Sequence, residues 1–106
     1  MAIVRLIEAD ILKTWLDNDE AIVIDVREPV EYEAEHIKGS HPIPLGELSE
    51  SHLSIAHGKK IVLHCMLGKR GGAACTKLLD NNPKLDIYNL RGGICAWKEA
   101  GFPVEK

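Results

Sequence analysis

Cys65 ends the apolar run KIVLHC, and the next residues are Met66, Leu67, Gly68, Lys69, Arg70, Gly71 and Gly72. A thiol attacks only once it has ionised, so a nucleophilic cysteine needs a position and charges that favour the thiolate. Both are present here. A cysteine that leaves a buried strand just ahead of a helix lets the amides of Met66 to Arg70 curl toward its sulfur as an anion-binding nest. The helix N-terminus, expected near Arg70 to Gly72, points the same way. Gly68, Gly71 and Gly72 permit backbone turns and close approaches that side chains would block. Lys69 and Arg70 favour a thiolate and an anionic substrate alike, and Arg70 offers a rigid fork of donors suited to an oxyanion. A lone cysteine in an apolar strand is more often a small core residue beside a turn. The strand end, the glycines and the paired cations together favour the nucleophile.

The other candidate groups read as structure. Ala74, Cys75, Leu78 and Leu79 form one apolar helical stripe, so Cys75 fills the core. Cys95 has Lys98 and Glu99 at its i+3 and i+4 positions and reads as an incidental, partly exposed thiol. Asp25 and Arg27 end a buried strand and read as a structural ion pair, with support of the cysteine loop as the alternative. His64 precedes Cys65, but successive strand residues point to opposite faces, which makes it a poor base. His36 and His41 suit turn and packing roles, the acids of EYEAEH a solvated helix face, and Trp15 and Trp97 the core. The five histidines and three cysteines show no metal-site spacing.

The elements that must position Cys65 follow from hydrophobic periodicity. Ile7, Ile11, Leu12, Trp15 and Leu16 share a face, which predicts a helix over 8–18. AIVIDV (21–26) and KIVLHC (60–65) read as strands buried on both faces. REPVEYEAEH predicts a short helix with Pro29 in its first turn, and HPIPL (41–45) a strand near a sheet edge. GELSESHLSIAHG predicts a helix closed by Gly58. GGAACTKLLDNN is a helix ended by Pro83, LDIYNL (85–90) a strand, and GGICAWKEAG a helix ended by Gly101. This alternation is most simply a parallel α/β sheet with right-handed crossovers and helices on both faces. Ligand sites in such sheets lie at the carboxyl ends of the strands, where Cys65 sits.

The chain as a whole sets bounds. Its 106 residues, 45% hydrophobic and 27% charged, make one small domain over 1–106. A net charge of -3 argues against nucleic acid or a membrane surface as the main partner. Arg5, Glu8 and Asp10 break up the N-terminus, which lacks the apolar core of a signal peptide. An odd cysteine count without an export signal points to a reducing cytoplasm.

Three ordered motifs resemble those of a single-domain rhodanese. DVREPVEYEAEHIKGSHPIP (25–44) is similar to the family's first signature, HCMLGKR (64–70) to its active-site loop, and GGICAWKEAGFPV (92–104) to its C-terminal signature. Ile94 departs from the aromatic residue that many members carry after the paired glycines, a change expected to affect packing. The resemblance implies a rhodanese-like α/β domain with a mostly parallel sheet of about five strands and helices on both faces. It implies that Cys65 forms a persulfide and that Met66, Leu67, Gly68, Lys69 and Arg70 cradle its outer sulfur. Lys69 would help hold an anionic donor such as thiosulfate. Sulfur would pass to cyanide or a thiol by double displacement, with no metal or organic cofactor. Related phosphatases use Cys-x5-Arg, whereas Cys65 to Arg70 is Cys-x4-Arg. That shorter loop suits a single sulfur atom better than a phosphoryl group. The alternative is a persulfide carrier that delivers sulfur to a protein partner. The chain ends at Lys106 without an anchor, which favours a free-standing protein.

Overall fold

The computed structural model describes residues 3–106. In chain order the elements are β1 (Leu6–Ile7), α1 (Ala9–Asp17), β2 (Ala21–Asp25), α2 (Pro29–Ala34), β3 (His36–Ile37), β4 (His41–Pro42), β5 (Lys60–His64), α3 (Lys69–Asn81), β6 (Ile87–Leu90), α4 (Gly93–Glu99) and β7 (Val104–Glu105). Five strands form an all-parallel sheet in the order β1-β6-β5-β2-β4. The expected α/β sheet with helices on both faces is therefore present. β3 and β7 pair separately as an antiparallel ribbon.

Alternation along the central strands divides the core in two. Ile24, Ile61, Leu63, Cys65 and Ile87 face Ala74, Cys75 and Leu78 of α3. Val23, Val62 and Leu90 face Leu12 of α1 and Ile94 and Trp97 of α4. Cys75 and Trp97 occupy the core as expected, while Trp15 is half-buried and packs edge-on against Tyr88 at 5.0 Å.

Several elements differ from the sequence-based expectation. Ile7 belongs to β1 rather than to the first helix, and Ile11 is 43% exposed. A two-residue strand shows too little alternation to be seen in sequence, and it forms because β6 supplies its partner. Residues expected as a helix over 46–58 form 3-10 turns at Leu45–Glu47 and Glu50–Ala56. Ser49, Ser51, Ser54 and His52 compete there for backbone groups, as in the bond from Ser49 N–H to His52 Nδ1 at 3.0 Å. The third major helix starts at Lys69, earlier than Gly71, because Gly68 at φ +112° turns the chain as its N-cap. HPIPL contributes only His41–Pro42, on the sheet edge where a proline is tolerated.

Candidate active site

Cys65 follows the last residue of β5, at the carboxyl end of the sheet. It is 1% exposed, and its Sγ accepts a hydrogen bond from Gly68 N–H at 3.1 Å. Among the amides of Met66 to Arg70, that of Gly68 is the one bonded to the sulfur. The nest is thus narrower than the sequence suggests, because the chain is already helical from Lys69. The first bond of α3 runs from Gly72 N–H to Gly68 O at 2.9 Å. Amides ahead of it lack intrahelical acceptors and keep the positive helix end beside the loop.

The loop is pinned through its carbonyls. Ile94 N–H donates to Cys65 O at 2.9 Å and Cys95 N–H to Met66 O at 3.2 Å. Gly93, at φ +58°, allows that approach; a Cβ there would lie 2.3 Å from Cys65 O. Asn89 Nδ2 donates to Gly68 O at 2.9 Å. Gly71 leaves room for Asn89, since a Cβ on it would sit 2.3 Å from the Asn89 Oδ1. Asn89 is a supporting residue that sequence reasoning missed; a lone asparagine in a strand pattern carries no signal of what it will face.

Beneath the loop lies a buried polar layer. Asp25 Oδ1 accepts from Arg27 N–H and Nε at 3.0 and 2.9 Å, and Oδ2 accepts from Nη2 at 2.8 Å. Arg27 Nη2 also donates to Glu35 O at 2.7 Å. The expected structural ion pair is therefore a bidentate, fully buried clamp on the turn after β2. His64 stands opposite Asp25 in register, with Nε2 3.5 Å from Oδ2. Its Nδ1 is 3.1 Å from Cys65 O, so the ring carries its proton there and donates to that carbonyl. Burial holds the His64 pKa below the usual histidine range, despite opposing attraction from Asp25. With Nδ1 on the Cys65 carbonyl and Nε2 facing Asp25, neither ring nitrogen is bonded to the Cys65 sulfur, and the ring positions the backbone.

The two loop cations differ. Lys69 is exposed, whereas Arg70 is held by Glu31, with Nη1 to Oε1 at 2.6 Å and Nη2 to Oε2 at 3.0 Å. The guanidinium bonds lower the Glu31 pKa to about 2. The same bonds raise that of Arg70. The acids of EYEAEH are thus more than a solvated face, since Glu31 binds Arg70 and Glu35 binds Lys98 at 2.5 Å. Met66 and Leu67 form the exposed apolar rim, at 42% and 68% exposure. Cys75 is enclosed in the core, which pushes its thiol up to about 12, and Cys95 is half-buried. His36 stacks on Tyr32 at 3.9 Å, and His41 lies on the edge strand β4.

A cleft of about 550 Å³ between Arg5, Leu79, Pro83 and Asp86 lies at the opposite, amino-terminal ends of the strands. Its charged pair, Arg5 and Asp86, is already bonded at 2.8 Å, and it shares no residue with the cysteine loop. Among the described residues, no cluster of histidine, cysteine and acidic side chains is arranged to hold a metal ion. No helix there is long and apolar enough to cross a membrane.

Residues 8–100 match the rhodanese-like domain, and the chain belongs to that family. It is 42% identical to the uncharacterized protein slr1261 of Synechocystis over 90% of its own length, and spans 52% of that relative. It is 27% identical to the thiosulfate sulfurtransferase GlpE of Pseudoalteromonas translucida, covering 80% of each chain. A rhodanese-related protein from Thermoplasma volcanium superposes with a TM-score of 0.81 at 35% identity, over 95% of this chain and 97% of the other.

Proposed function

We propose that this domain is a sulfurtransferase that moves a sulfane sulfur from a small anionic donor such as thiosulfate to a thiol or cyanide through a persulfide on Cys65. The observation that carries the reading is the Gly68 amide on Cys65 Sγ at 3.1 Å, within a Cys-x4-Arg loop beside a helix N-terminus. The Cys65 thiolate attacks the outer sulfur of thiosulfate, the sulfur–sulfur bond breaks, and sulfite leaves with the electron pair. The outer sulfur then sits where Met66, Leu67, Gly68, Lys69 and Arg70 surround it. Cyanide or a thiol attacks that sulfur next and releases the Cys65 thiolate. Lys69 is the cation placed to offset charge on the donor and on departing sulfite. Three unpaired thiols suit a reducing compartment such as the cytoplasm.

A second reading, delivery of the persulfide sulfur to a protein partner, draws on the exposed Met66 and Leu67 rim. Cys65→Ser is expected to abolish thiosulfate:cyanide transfer and to prevent the gain of one sulfur mass that thiosulfate produces in the wild type. Persistence of either in the variant defeats the assignment. Loading of Cys65 without steady-state turnover favours the carrier.

A further inference from the structure

Arg70 is not free. Glu31 takes both ends of its guanidinium fork, and the carboxylate is itself held in place. Its Oε1 also accepts the Glu28 N–H at 3.0 Å, in the first turn of α2. That turn is fixed in turn by the Asp25–Arg27 clamp two residues before it. Glu31 therefore arrives at Arg70 preorganised rather than as a wandering surface acid. The pair stays partly exposed, at 38% for Arg70 and 23% for Glu31, so an approaching ion feels both charges.

We infer that Glu31 is a specificity-determining residue of the Cys65 loop. By occupying and neutralising Arg70 it disfavours doubly charged sulfur donors relative to singly charged ones of similar shape. This rests on the persulfide reading of Cys65. A donor with two negative charges loses more to the Glu31 carboxylate than a donor with one, and only Lys69 on the loop remains unpaired to compensate. The bare loop sequence, with adjacent Lys69 and Arg70, suggests two cations for the donor. The structure leaves one.

The probe pair is thiosulfate and methanethiosulfonate, which replaces one charged oxygen of thiosulfate by a methyl group. In each case the Cys65 thiolate attacks the terminal sulfur and the sulfur–sulfur bond breaks. Sulfite or methanesulfinate leaves with the electron pair, and the same Cys65 persulfide remains. Single-turnover loading of Cys65 is followed by mass, and the readout is the ratio of the two second-order constants, thiosulfate over methanethiosulfonate.

Glu31→Gln is expected to raise that ratio about fivefold at low salt, with the gain shrinking in 1 M salt. Glu31→Asp, which keeps the charge, should hold the wild-type ratio. Arg70→Gln alone exposes an uncompensated carboxylate and should lower the ratio by a similar factor, while Glu31→Gln with Arg70→Gln should return it toward the wild-type value. A role confined to fastening the loop changes both donors equally, and an unchanged ratio in Glu31→Gln overturns the proposal. If Glu31→Gln fails to fold, the comparison of Arg70→Gln with the wild type decides: no fall in the ratio overturns it. Failure of both donors to load wild-type Cys65 removes the persulfide reading itself, and the role of Glu31 with it.

Discussion

β2 and β5 are neighbours in register, and their carboxyl ends open into two very different turns. After β2 the chain closes on itself with side chains: Asp25 and Arg27 bury their charges in each other. After β5 it turns through Gly68 at φ +112°, with Asn89 holding the Gly68 carbonyl, and leaves an amide and a sulfur facing one another. The first turn is filled and rigid; the second is open and carries the candidate nucleophile. Glu31, just past the filled turn, reaches across to Arg70 of the open one. The lesson is a division of labour. A buried ion pair contributes little net stability against an apolar replacement, but it fixes geometry, and here the fixed turn presents Glu31.

The comparison can be broken at its rigid side. Asp25→Ala leaves Arg27 buried without its carboxylate, a loss of about 3–5 kcal/mol measured by urea unfolding. Loading of Cys65 should fall with it, because Asp25 also faces His64, whose ring holds the Cys65 carbonyl. A clamp that merely decorates the turn would give a loss near that of an exposed pair.

The open side is tested by Gly93→Ala. Its Cβ would lie 2.3 Å from Cys65 O at a backbone angle that L residues avoid, so about 2–3 kcal/mol of destabilisation is expected. The Cys65 carbonyl must shift, so slower persulfide formation should accompany the stability loss. Normal loading rates in a destabilised Gly93→Ala would show that the loop tolerates movement at Cys65.

The smallest effect sits at the bridge between the turns. The Glu31 pKa is lowered from 4.5 to about 2 on folding, so its stabilisation is present above the unfolded value. It is lost as pH falls from about 4.5 toward 2. With the pair partly exposed, Glu31→Gln should cost about 1 kcal/mol at neutral pH. The gap between wild type and variant should close toward pH 2, as read by thermal unfolding across that range. A gap that persists unchanged to the acid limit would assign the loss to packing rather than charge.

Much of this was legible in the sequence where it depended on neighbours along the chain. The buried strands AIVID and KIVLH, the stripe that buries Cys75 and the edge position of His41–Pro42 all follow from local pattern. Ile94 needs no correction either, since it is buried against the second core face as a packing residue. The misses share a cause. β1 and β7 are two-residue strands created by their partners, and the serine-rich turns after β4 lose a competition between helix and local hydrogen bonds that periodicity cannot score. Asn89 and Glu31 carried no functional signal because each acts on a residue far away in the chain: Gly68 for one, Arg70 for the other.

By itself the sequence determined which residue is the candidate nucleophile, that it ends a buried strand, and that glycines and cations follow it. Those are properties of residue type and near spacing, where sterics and short-range charge decide. Only the tertiary structure decided that Gly68 is the amide on the sulfur, that His64 serves a carbonyl, and that Arg70 is already taken. Each depends on where two distant segments meet, and packing across the parallel sheet sets that meeting.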